Sequence, residues 1–170
     1  MTLLDLHDLP ERLPARARLL GLDLGSKTIG LAISDGDRKL ASPLETLRRA
    51  KFTADAEALK RVLEERRVGG LILGLPVNMD GSEGPRAQST RQFARNLIEL
   101  AGLDLPIAFW DERLSTAAVQ RLLIDEADMT RKRRAEVVDK MAAAYILQGA
   151  LDALAYGRPG GPAEGAGDPA

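Results

Sequence analysis

The chain has 170 residues, with 24 Lys and Arg against 25 Asp and Glu, and a formal net charge of −1. That length suits one domain with a full core, and the near-neutral balance excludes a global basic field, so nucleic acid would have to be met by a local basic face. There is no cysteine and the only histidine is His7, which removes thiolate zinc sites, cysteine nucleophiles, Ser-His triads and His-ligated metalloprotease centres together, leaving carboxylates, lysine, hydroxyls or a metal for chemistry.

Residues 1–17 contain Pro10 and Pro14 and no sustained period, so they read as a flexible leader. Acidic residues and prolines stand there where a signal peptide would carry its apolar core, and no run approaches the roughly 20 apolar residues of a membrane helix, so a cytoplasmic protein without membrane contact is expected. Arg18 to Gly25 and Thr28 to Ser34 read as strands joined by Ser26-Lys27, and Leu40 to Leu47 adds a third, giving an antiparallel meander. Thr53 to Arg67 carries Ala56, Leu59, Val62 and Leu63 at helical spacing. Gly70 to Leu75 is a continuous apolar run, as in a strand buried on both faces, and Pro76 ends it. Pro85 suits the first position of a helix that continues to about Leu100.

Leu105 to Trp110 is the fifth predicted strand, delivering Asp111-Glu112 at its C-terminal end. Helices follow over Ser115 to Ala127 and Ala135 to Tyr156, separated by Arg131-Lys132-Arg133-Arg134, which reads as an interhelix linker. The Gly/Pro/Ala tail of residues 157–170 cannot bury enough apolar surface to order itself. This order predicts one α/β domain over residues 18–156: a mixed five-stranded sheet flanked by helices, with strands one, four and five as parallel neighbours.

Asp23 stands inside the apolar strand Leu19-Leu20-Gly21-Leu22-Asp23-Leu24, immediately before a glycine turn. A buried ionised carboxylate costs several kcal/mol unless it is paired, protonated or bound to metal; the plain alternative is a side chain that caps the turn at Gly25. Open α/β sheets place ligands beyond the carboxyl ends of their strands, an edge that here receives Asp23, the Asn78–Asp80 loop and Asp111-Glu112. On the last helix Asp139 shares a face with Ala135, Ala142, Ala143 and Ile146, which turns a carboxylate toward the sheet. Taken singly, Asp139 is better explained by a surface pair with Arg113 or Lys140. Taken with Asp23 and Glu112, it completes a set of oxygen ligands suited to Mg²⁺ or Mn²⁺ and to phosphodiester hydrolysis.

Two phosphate motifs compete for the first hairpin. Gly21 to Thr28 superficially matches a P-loop, but Ser26 replaces the glycine before the lysine and a strand follows instead of a helix. Asp-Leu-Gly-Ser-Lys-Thr is also similar to the first phosphate loop of the actin, sugar-kinase and heat-shock ATPase group, whose members pair two such domains where this chain has length for one. Gly81 to Arg91 opens the second helix with exposed amides and with Arg86, Gln88 and Arg91, an anion site or simply a helix start with solvated arginines. The run Arg131 to Arg134 is a candidate nucleic-acid contact because it leads into the helix bearing Asp139.

These pieces together resemble the YqgF/RuvX family, described as Holliday junction resolvases or pre-16S rRNA nucleases with a ribonuclease H-like fold. The similarity runs from about Leu19 to Leu154 and rests on Gly-Leu-Asp-Leu-Gly-Ser-Lys-Thr-Ile-Gly-Leu-Ala, Gly-Leu-Pro-Val-Asn-Met-Asp-Gly-Ser-Glu-Gly-Pro-Arg-Ala, Asp-Glu-Arg-Leu-Ser-Thr and Asp139-Lys140-Met141-Ala142-Ala143. The resemblance implies a metal-dependent nuclease using Mg²⁺ or Mn²⁺, with Asp23, one of the Asp111-Glu112 pair (Glu112 being favoured) and Asp139 as catalytic and metal ligands. It implies a nucleic-acid substrate, either precursor rRNA in ribosome biogenesis or branched DNA, with ribosomal particles as further partners and a monomer or homodimer as the working form. Lys27, Arg86, Arg91, Arg113, Arg131, Lys132, Arg133 and Arg134 are the candidate nucleic-acid contacts, though Arg113 could equally pair with Asp111. A non-catalytic assembly factor that binds nucleic acid and a small ATPase are the readings from other classes.

Overall fold

A computed structural model of the chain describes residues 3–114 and 131–157. Five strands and three long helices follow in the order β1 (Arg18–Leu24), β2 (Thr28–Ser34), β3 (Ala41–Arg48), α1 (Phe52–Glu65), β4 (Val68–Leu75), α2 (Pro85–Glu99), β5 (Ile107–Asp111) and α3 (Arg131–Tyr156). The sheet order is β3-β2-β1-β4-β5. β1 pairs antiparallel with β2 and β2 with β3, whereas β4 runs parallel to both β1 and β5. The expected meander and parallel crossovers are therefore present. The predicted helix over 115–127 lies outside the described residues.

Period-two alternation divides the sheet between two apolar layers. Leu20, Leu22, Leu71 and Leu73 pack with Leu59, Val62, Phe93 and Leu97 of α1 and α2. Leu19, Ile72 and Ala108 turn to the other side, against Ala143, Ile146, Leu147 and Ala150 of α3. β4 is buried along its whole length because both layers cover it, and Gly69 and Gly70 there let leader side chains come close. Among the described residues no helix is long and apolar enough to cross a membrane.

Two expectations need correction. The expected leader is attached to the domain from Leu3 onward: Leu4 N–H donates to the Ile107 carbonyl at 2.9 Å, Leu3 bridges Ile107, and Leu6 and Leu9 are buried with the α3 layer. The physical reason is a three-residue spacing: Leu6 and Leu9 fall on one side of a segment built from two 3-10 turns, Leu6–Asp8 and Pro10–Arg12, where side chains three apart eclipse one another. The second correction concerns Arg131 to Arg134, which is the opening of α3 and not a linker. Arg and Lys are good helix formers, and nothing in that run breaks the backbone before Ala135.

Candidate active site

Asp23 is only 3% exposed, and its place in the sheet explains how acidic side chains can reach it. It pairs laterally with Gly30 of β2. On its other side the β1–β4 register runs through Leu22 and Leu73, so the next residue of β4 is Gly74. Asp23 thus lies between two glycines in one row across the sheet, on the face covered by α3.

Each glycine leaves room for a different acidic residue. A Cβ added at Gly30 would collide with the Asp139 carbonyl and lie 3.0 Å from the Lys140 amide nitrogen, so the α3 backbone rests on β2 at that point. A Cβ added at Gly74 would lie 2.5 Å from Ile146 Cδ1 and 2.9 Å from Glu112 Oε1. The Glu112 side chain therefore folds over β4 while the Asp139 segment crosses over β2, one on either side of Asp23. Thr28 Oγ1 donates a hydrogen bond to Asp139 Oδ2 and directs that carboxylate toward the start of β2.

Strand alternation separates Asp111 from Glu112. Phe109 packs on the α1 and α2 layer and Trp110 on the α3 layer, so Asp111 continues on the first side and Glu112 returns to the side of Asp23. Asp111 is moreover held by Arg113, whose guanidinium donates to Oδ2 at 2.7 Å and whose backbone N–H donates to Oδ1 at 3.0 Å. The Arg113 side chain holds the Asp111 carboxyl below its ordinary range, and Asp111 raises Arg113 in return. Arg113 also donates to the Met79 carbonyl at 3.2 Å, tying the end of β5 to the loop after β4. Of the two roles considered for Arg113, this geometry supplies the pair with Asp111.

The basic candidates are dispersed. Lys27 is exposed at the β1–β2 turn, and Arg86 is exposed in the first turn of α2. Arg91 is engaged elsewhere: its guanidinium donates to Glu83 at 2.5 and 3.1 Å and lies 4.9 Å from the centre of the Phe109 ring. Arg131 to Arg134 begin the helix that carries Asp139, two turns upstream of it.

Sequence reasoning passed over Arg49 and Thr28. Arg49 donates from its side chain to the Gly25 carbonyl at 2.7 Å and from its backbone to the Lys27 carbonyl at 2.8 Å, while its guanidinium lies 5.7 Å from the Phe93 ring centre. It fastens the turn that follows Asp23. The only available signal was the basic cluster Arg48-Arg49-Ala50-Lys51 at the end of a strand, and such a cluster does not say which cation turns inward. Among the described residues no group of three or more Asp, Glu, His or Cys side chains is close enough to hold a metal ion.

A family model described as "RuvX: Holliday junction resolvase" matches residues 17–153. The chain belongs to the RuvX family. A RuvX relative from Phenylobacterium zucineum, named "Putative pre-16S rRNA nuclease", is 64% identical over 154 residues, covering 91% of this chain and 98% of its own. A relative of the same name from Paramagnetospirillum magneticum is 70% identical over 135 residues, 79% of this chain and 85% of its own. Among solved structures, T. thermophilus RuvC in complex with Holliday junction substrate superposes with a TM-score of 0.51 at 14% identity, over 79% of this chain and 93% of that one. At that identity the likeness concerns the fold, and it agrees with the mixed sheet, flanked by helices, of a ribonuclease H-like domain. The RuvX match begins at Ala17, so the buried leader turns before it lie outside the shared model.

Proposed function

We propose that this RuvX protein is a metal-dependent nuclease that hydrolyses phosphodiester bonds in structured RNA, with precursor 16S rRNA as the substrate class. The observation that carries the reading is the row Gly30-Asp23-Gly74, with Asp139 crossing over one glycine and Glu112 folded over the other. Carboxylates carried by β1, by the end of β5 and by α3 onto one face of the sheet supply the oxygen ligands that a divalent cation prefers. The names of the two relatives described above favour RNA as substrate.

Asp23, Glu112 and Asp139 would hold Mg²⁺ or Mn²⁺. The donor chemistry suits such an ion: the candidate ligands are all carboxylate oxygens, the chain has no cysteine, and Mg²⁺ is commonly bound through one or two carboxylates while keeping several waters. When bound, the ion supplies charge stabilisation to the phosphate oxygens. The chain's own contribution is positional. Asp23 is fixed by the sheet, Asp139 is oriented by the Thr28 hydroxyl, and Arg49 keeps the intervening turn closed. Lys27 and Arg86, exposed near the carboxyl edge of the sheet, supply cations for the substrate backbone.

A cleavage assay with an extended rRNA precursor and a four-way DNA junction, each in Mg²⁺, Mn²⁺ or chelator, tests the reading. The expected result is cleavage of the precursor that chelator stops and that Asp23→Asn abolishes without lowering Tm. Asn keeps the shape of Asp23 and removes its charge. Cleavage of the junction alone would replace RNA by branched DNA and favour a dimer, because two symmetric strands are cut. Full activity in chelator, or in Asp23→Asn, would overturn the carboxylate mechanism.

A further inference from the structure

The two arginines at the end of β3 are treated differently by the fold. Arg49 is used structurally, on the Gly25 carbonyl and the Phe93 ring. Arg48 is exposed and forms no ion pair or hydrogen bond among the described residues. Its face is set by alternation: Leu47 packs on the α1 and α2 layer, while Thr46 Oγ1 donates to the Glu136 carbonyl of α3 at 2.7 Å. Arg48 therefore shares the α3 face with Thr46. Its partner across the antiparallel ladder is Thr28, the residue whose hydroxyl is bonded to Asp139. Directly opposed residues in such a ladder have Cβ atoms about 5 Å apart, so Arg48 is a next-but-one neighbour of the Asp139 carboxylate. Lys27, exposed and adjacent to Thr28, adds a second cation at the same corner.

We propose that Arg48, with Lys27 beside it, is the seat of a backbone phosphate flanking the cleaved bond, so that nucleic acid crosses the β2–β3 corner on its way into the acidic site. The proposal rests on the nuclease reading above and extends it to Arg48, which is not among the basic candidates expected from the sequence. Charge complementarity carries it. An acidic cluster repels a polyanion, and fixed cations immediately beside the carboxylates offset that repulsion along the approach. Arg91 and Arg113 do not serve that purpose, since each is held by a carboxylate of its own.

The test measures affinity for the extended rRNA precursor at several salt concentrations in the cleavage-deficient Asp23→Asn background. Lys27→Ala with Arg48→Ala should weaken binding and flatten the slope of log affinity against log salt by about 1.4 to 1.8, or 0.7 to 0.9 for each phosphate no longer neutralised. Arg48→Glu should weaken binding further than Arg48→Ala. Lys60→Ala on α1, paired with Glu57 at 3.9 Å, is the control for loss of one positive charge. A slope and affinity indistinguishable from that control in both Arg48 variants would overturn the proposal even if the parent enzyme cleaves as expected. If instead the slope flattens but the unsubstituted protein cleaves neither substrate, the phosphate seat stands and the nuclease reading falls.

Discussion

Gly30 and Gly74 flank Asp23 for reasons that differ in hardness. At Gly30 an added methyl meets the Asp139 peptide, and backbone in the middle of a packed helix has no room to yield. At Gly74 it meets the Ile146 methyl and the Glu112 carboxylate, both at the ends of side chains that can rotate away. Gly30→Ala should therefore lower stability by about 1–3 kcal/mol or more, as overpacked sites do, visible as a reduced midpoint in denaturant. Gly74→Ala should cost less stability than Gly30→Ala, because side-chain ends yield more readily than helix backbone, and should reduce cleavage by displacing Glu112. Equal stability of the two variants would show that α3 is not pressed on β2 as described. Asp23 itself was legible as a candidate because a carboxylate in a Leu-rich strand is anomalous. The two glycines were legible only as small residues, since their purpose depends on what crosses above them.

The elements divide in the same way between local and distant causes. α3 opens with Arg131, Lys132, Arg133 and Arg134, cations placed where the helix dipole disfavours them by about 0.3–1 kcal/mol each at low salt. Replacing all four by Ala should raise thermal stability slightly and at the same time weaken nucleic-acid binding, opposite signs that a plain solvated helix end would not produce. Melting curves and salt-dependent affinities of the same variant check both halves. An unchanged salt slope would confine the run to a structural role. The helix over Ala135 to Tyr156 was legible from its alanine-rich face. Its earlier start was not, because a block of four cations resembles a linker unless helix propensity is weighed against charge.

At the scale of the whole molecule, the chain before β1 is part of the core. Leu9 is fully buried against the α3 layer, so Leu9→Ala should cost about 2–5 kcal/mol and lower Tm by about 5–15 °C. Removing residues 1–9 should destabilise at least as much, since it also uncovers β5 at Ile107. A melting curve unchanged by that truncation would return the segment to the role of loose leader. Removing Arg158 to Ala170, which lie outside the described residues, is expected to leave Tm and turnover unaltered, because the tail has no apolar period with which to dock. A large loss of either would show that it docks.

The amino-acid sequence by itself determined the five strands, α1, α2 and the body of α3, their order, the parallel crossovers and the family. Each of these follows from local periodicity, from turn residues, or from motifs contiguous along the chain. Tertiary structure decided which member of a neighbouring pair turns to the α3 face of the sheet: Glu112 and not Asp111, Arg48 and not Arg49. A shift of one residue along an extended backbone reverses the face, and where a strand stops alternating is set by packing against other elements. It also decided the place of Leu6 and Leu9, whose three-residue spacing gains meaning only once α3 and the edge of β5 provide a surface to cover.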